Sequence, residues 1–109
     1  MRTLKFIVDN QIVKQDPKCS FEGLVPGTEE YLQAEFSFSS EWNGYIKAVG
    51  FWSLFGKEYP ARVLKDGKTC VIPTEALKRR AFKIQVVGKS ATAKIVTNKL
   101  QINQNGGGV

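Results

Sequence analysis

From Leu32 to Phe38 the chain alternates apolar and polar positions, with Leu32, Ala34, Phe36 and Phe38 set against Gln33, Glu35 and Ser37. This is the period-two signature of a strand with one buried face. A second arm alternates Tyr45, Lys47, Val49 and Phe51 with Ile46, Ala48, Gly50 and Trp52. Both faces of this arm carry apolar groups, so the pattern predicts a strand covered on both sides. Between the arms, Asn43-Gly44 supplies the positive φ of a tight turn, and Trp42 just before it is placed to close one end of a core. Residues 31–53 are therefore expected to form two facing strands on which the later hairpins close, with Phe36, Phe38, Trp42, Val49 and Phe51 in that core.

The remaining pattern adds short strands around this pair. Residues 4–8 and 11–15 read as strands joined at Asp9-Asn10, and residues 18–21 as a further short strand. Gly23, Pro26 and Gly27 mark residues 22–30 as loop. Residues 58–64 alternate again, and Pro60, which has no N–H to give a ladder, argues for an edge position. Asp66-Gly67 predicts a two-residue hairpin turn of the primed type leading into residues 69–72. Residues 73–78 suit one helical turn, with Pro73 in the first turn and Glu75 and Lys78 matching the dipole ends. Strands follow at 81–87, 91–96 and 100–102. The sum is an all-β, immunoglobulin-like β-sandwich of about seven to nine short strands with one short helical turn. The domain is expected to span residues 1–103, with residues 104–109 a flexible glycine-rich tail or the start of a linker.

Composition narrows the class. The 42% apolar residues and 24% charged residues are ordinary for a globular domain and exclude wholesale disorder. At 109 residues one core is expected. No apolar run approaches the roughly 20 residues of a membrane span, and Asp9 interrupts the N-terminal apolar run too early for a secretory signal. A soluble protein made inside the cell, without membrane contact, is the expectation. The net charge of +6 is uneven: residues 1–54 hold five basic and seven acidic groups, and residues 55–109 hold eleven basic and three acidic, giving −2 and +8. This asymmetry points to an acidic partner surface, either protein or nucleic acid.

Chemistry is sparse. There is no histidine, and the two cysteines, Cys19 and Cys70, have no metal-ligand spacing. They read as two small core residues or, if they meet in space, as a disulfide; with Trp42 between them they match the immunoglobulin cysteine-tryptophan pattern only loosely. Glu35, Glu41, Glu58 and Asp66 could serve as acid and base, yet nothing in their spacing joins two of them. No catalytic, cofactor-binding or metal-binding residue is assigned, no cofactor is expected, and the chain is not expected to be an enzyme. The basic run Lys78-Arg79-Arg80, continued by Lys83, Lys89, Lys94 and Lys99, could follow a phosphate backbone, with Tyr45, Phe51, Trp52 or Phe55 stacking bases. It could equally be solvated strand charge or a protein contact. The candidate partner-contact residues are Lys78, Arg79, Arg80, Lys83, Lys94, Tyr45, Trp52 and Phe55.

Four stretches also carry a resemblance: AEFSFSSEWNGYIKAVGFW at residues 34–52, residues 64–77 with Asp66-Gly67 and Ile72-Pro73-Thr74-Glu75-Ala76-Leu77, residues 82–88 ending in Gly88, and Val96-Thr97-Asn98. Together they resemble a small domain common in phages of Gram-positive bacteria, which often opens baseplate upper proteins and head-fibre-type proteins. The resemblance covers roughly residues 31–102 and rests on core and turn positions, so it transfers no catalytic residue. It implies a virion structural role, with a β-sandwich, as a homo-trimer or otherwise, docked on a capsid or baseplate protein and a fibre part following. This chain stops just after the sandwich, so its triple glycine is expected to be a linker, or the chain a short decoration protein. A different class remains open beside it: a small intracellular protein that inhibits a host enzyme or binds nucleic acid through its basic half.

Overall fold

The computed structural model describes residues 1–104. Its strands are β1 Arg2–Asp9, β2 Ile12–Gln15, β3 Leu32–Phe38, β4 Ile46–Trp52, β5 Glu58–Val63, β6 Thr69–Val71, β7 Ala81–Lys89, β8 Lys94–Val96 and β9 Leu100–Asn103. Two 3-10 turns, Ser40–Trp42 and Thr74–Lys78, complete the elements. Sheet A runs β2-β1-β3-β6, and sheet B runs β5-β4-β7, with β8 and β9 both paired to β7. The fold is the expected all-β sandwich. Its strand order is not the ABED and CFG order of immunoglobulin domains, and β1 lies parallel to β3.

Period two builds the core from both sheets. Leu4, Phe6 and Val8 of β1 and Leu32, Ala34 and Phe36 of β3 face Val49 and Phe51 of β4 and Phe82, Ile84 and Val86 of β7, and all are buried. Phe6 stacks on Phe36 with centroids 5.0 Å apart, and Phe38 leans on Trp42 at 5.2 Å. Trp42 closes one end. Its indole N–H donates to the Asn10 carbonyl at 2.8 Å, satisfying the one polar atom it carries inward. A Cβ on Gly88 would lie 2.8 Å from the Trp42 ring, so the glycine ending the β7 apolar run is the space into which that ring fits.

Two turns are passages between sheets: Asn43-Gly44, expected as a tight turn between facing strands, and Asp66-Gly67, expected as a hairpin. Asn43, at φ −62° and ψ 134°, precedes Gly44 at φ 81°, and the Tyr45 N–H donates to the Trp42 carbonyl at 3.2 Å. This is a type II turn, whose twist does not match a two-residue hairpin. β3 and β4 thus face each other across the core and do not share a ladder. Likewise β5 belongs to sheet B and β6 to sheet A. Only Gly67 of the Asp-Gly pair has positive φ. Asp66 holds that passage: its carboxylate accepts from the Lys68 N–H at 2.9 Å, the Thr69 N–H at 2.7 Å and the Thr69 hydroxyl at 2.6 Å. The hydroxyl and amide donors of Thr69 draw its pKa down to about 2. Residues 18–21, expected as a strand, are loop, because β2 and β3 already occupy both edges of β1. Residues 74–78 form the expected single turn and bury Ala76 and Leu77.

One stitch joins the sheets where β8 ends. The Thr97 hydroxyl accepts from the Val86 N–H at 3.0 Å while the Thr97 N–H donates to the Val86 carbonyl at 3.0 Å. The Asn98 amide then reaches β2, accepting from the Val13 N–H at 2.7 Å and donating to the Val13 carbonyl at 3.3 Å. A side-chain amide thus takes the place of a neighbouring strand on the outer edge of sheet A.

Gln104 is 1% exposed and belongs to the sandwich. The rest of the expected tail, residues 105–109, lies outside the described residues.

Candidate functional site

A groove of ≈ 1070 Å³ lies between the start of β5 and the Thr74–Lys78 turn. Its apolar lining comes from Leu54, Phe55, Tyr59 and Pro60, and its charges from Lys57, Lys78, Arg79 and Arg80 against Glu58 and Glu75. Four cations thus meet two carboxylates around an apolar floor.

Each side of the groove is built locally. Ser53 is buried, and its hydroxyl accepts from the Phe55 N–H at 3.2 Å and the Lys57 N–H at 2.9 Å. The Ser53 N–H donates to the Lys57 carbonyl at 2.8 Å, and Gly56 at φ 90° closes the loop. These bonds leave Phe55 at the tip, 97% exposed. A phenylalanine so fully in water gains nothing from folding. On the opposite side, the Gln104 amide donates to the Leu77 carbonyl at 3.1 Å and the Arg79 carbonyl at 2.9 Å, and its backbone N–H donates to the Arg80 carbonyl. The basic turn is therefore fixed in shape before any partner arrives, which lowers the ordering cost of binding.

The expected contact residues divide. Lys78, Arg79, Arg80 and Phe55 come together on this groove. Trp52 and Lys83 are cross-strand neighbours on the outer face of sheet B, next to it. Lys94 faces Lys89 at the other end of β7, roughly 26 Å away at strand rise. Tyr45 is half-buried at that end, its Cβ close to where a Gly88 Cβ would stand. Phe51 is 0% exposed and cannot stack a base. The Trp52 ring lies on Gly50, and Lys99 Nζ stands 4.3 Å from its centroid, so the indole is already occupied by a cation–π contact.

Sequence reasoning missed Lys57, Tyr59 and Gln104. Lys57 and Tyr59 carried no signal beyond the exposed Phe55 between them and Trp52. Gln104 was hidden by the polar, glycine-rich run it begins.

The other candidate chemistry is dispersed. Cys19 and Cys70 are both free thiols. Cys19 lies against β1, where its sulfur accepts from the Lys5 N–H at 3.4 Å, and Cys70 pairs with Ala34 on the far side of β3. Two strand spacings, about 10 Å, separate them, beyond the reach of a disulfide. Burial pushes the Cys70 thiol up to about 12. Among the described residues no group of three or more His, Cys, Asp or Glu could hold a metal ion, and no helix is long and apolar enough to cross a membrane. Glu35, Glu41, Glu58 and Asp66 stand on β3, the first 3-10 turn, β5 and the 64–68 passage. Comparison with protein-family models, with curated proteins and with solved structures finds no match to this chain.

Proposed function

We propose that the chain is a non-catalytic attachment domain that docks an acidic protein surface into the groove beside Phe55. The observation that carries this reading is the fully exposed Phe55 held out by Ser53 beside four cations on a pre-shaped rim. Covering that ring is worth about 2 kcal/mol, and desolvated Arg79 and Arg80 would set register against carboxylates. The resemblance in the turn and core residues supplies the setting: a phage particle, with a capsid or baseplate protein as the acidic partner and a homo-trimer as the assembly. The second reading, an intracellular inhibitor of a host enzyme or a nucleic-acid binder, draws on the basic second half, residues 55–109.

Fractionation separates the two. Purified particles of the phage that encodes the chain are expected to retain it through gradient sedimentation, at a stoichiometry fixed by the particle's symmetry. A chain found only in the soluble fraction of infected cells would overturn the attachment reading. Light scattering of the free chain at three times the monomer mass is expected for a trimer, and monomer mass alone removes that part of the proposal.

A further inference from the structure

The two-faced apolar pattern of β4 has an uncovered side. Val49 and Phe51 are buried, but Ile46 on the opposite face is 73% exposed, and Val63, which pairs with Ala48 on that same face and so lies diagonal to Ile46, is 56% exposed. Ala48 pairs with Val63 on one side and Val87 on the other, and Val87 pairs with Val96. This gives sheet B an aliphatic stripe across its outer face. A strand covered on both sides is what the residues call for, and the described residues cover one.

Charge around the stripe is mostly positive, the exception being Glu58, which pairs with Trp52 at the far end of β4. Lys89 and Lys94 are directly opposed across the β7–β8 ladder, and the other neighbour of Lys89 is Ile46. Lys83 has Trp52 and Gln101 as its ladder neighbours. None of these lysines has a carboxylate opposite it. Like charges directly opposed on a strand pair cost stability, and an anion between Lys89 and Lys94 would relieve that cost.

The occupant follows from these two features together. A second copy would set lysine against lysine. A nucleic acid would find no free ring for its bases, since Trp52 lies between Gly50 and Lys99, and its phosphates would leave Ile46 and Val63 in water. We infer that the outer face of sheet B is a second docking surface, separate from the groove, which takes a partner protein's face of apolar residues flanked by carboxylates. Engagement at both places would make the chain a bridge between two acidic neighbours.

The test uses the full chain, labelled with 15N and titrated at low ionic strength to millimolar peptide. Two capped probes stand in for the partner face, Glu-Glu-Leu-Leu-Glu-Glu and hexaglutamate, with the oligonucleotide dT20 as the competing class. The leucine peptide is expected to shift the amides of Ile46, Ala48, Val87 and Val96 and to bind about tenfold more tightly than hexaglutamate, the worth of covering one aliphatic side chain. The double variant Ile46→Ser/Val63→Ser is expected to abolish that tenfold difference, and Lys89→Gln/Lys94→Gln to weaken both peptides. Both pairs are exposed, so the fold tolerates them.

Equal binding of the two peptides, tighter binding of dT20, shifts confined to residues 53–60 and 78–80, or no shifts at all would each overturn the second surface. Shifts confined to 53–60 and 78–80 would leave the groove reading standing. Shifts on the sheet face with none at the groove would do the reverse.

Discussion

At the scale of single residues, Gly88 against Trp42 is a tight fit inside the core. The indole is buried and hydrogen-bonded to Asn10, so it cannot swing aside for a methyl group. Gly88→Ala is expected to destabilise by about 1–3 kcal/mol, the usual range for overpacking, measured as a shift of the denaturant midpoint at unchanged slope. Cys70 gives a pH signature. Its thiol titrates near 9 when the chain is unfolded and about 12 when folded. Folding therefore favours the protonated form, and the stability this provides is complete below pH 9 and lost as pH rises from 9 to 12. Unfolding curves at pH 8 and pH 11 are expected to show a larger alkaline loss for the native chain than for Cys70→Ala. Equal losses would show that burial does not hold the thiol neutral.

At the scale of elements, the strongest local signals told strands from turns, and told the facing of β3 and β4, but not that β5 and β6 part company at Asp66-Gly67. The alternation of Leu32 to Phe38 and of Phe82 to Val86 told both strand type and buried face. Asn43-Gly44 and Asp66-Gly67 told where the chain turns, but a turn dipeptide does not encode whether the next strand joins the same sheet or crosses to the other. That choice was made by non-local burial, because Trp42 and Leu64 both enter the core within these passages. The two-faced pattern of β4 is visible in the sequence and predicts a cover that the described residues do not supply. The Asn98 stitch was invisible, since its partner Val13 is 85 residues away. Asn98→Ala would leave the Val13 N–H and carbonyl of an edge strand without partners and is expected to cost about 1–3 kcal/mol. Hydrogen exchange is expected to quicken at Val13 and far less at Phe36. Unchanged protection at Val13 would mean that the edge holds without the amide.

At the scale of the whole molecule, the 53–57 loop and the basic 78–80 turn, distant in the chain, meet at the groove, and Gln104 holds the turn from behind. The cationic run was legible as sequence, and so was the excess charge of the second half. The concavity was not, because it exists only where sheet B and the Thr74–Lys78 turn converge. Nor was the role of Gln104, which tethers the turn from the end of the last strand. Gln104→Ala is expected to leave the sandwich folded and loosen residues 77–80, seen as faster amide exchange there.

The central claim is that attachment runs through Phe55 and the basic rim. Its most direct measurement is retention of the triple variant Phe55→Ser/Arg79→Gln/Arg80→Gln on purified particles, in competition with the native chain. All three side chains are exposed, so the variant is expected to keep its melting temperature. Loss of the buried ring contact alone predicts about a 30-fold weaker hold, which would leave the variant in the soluble fraction. A folded variant retained in the same amount as the native chain would contradict the account.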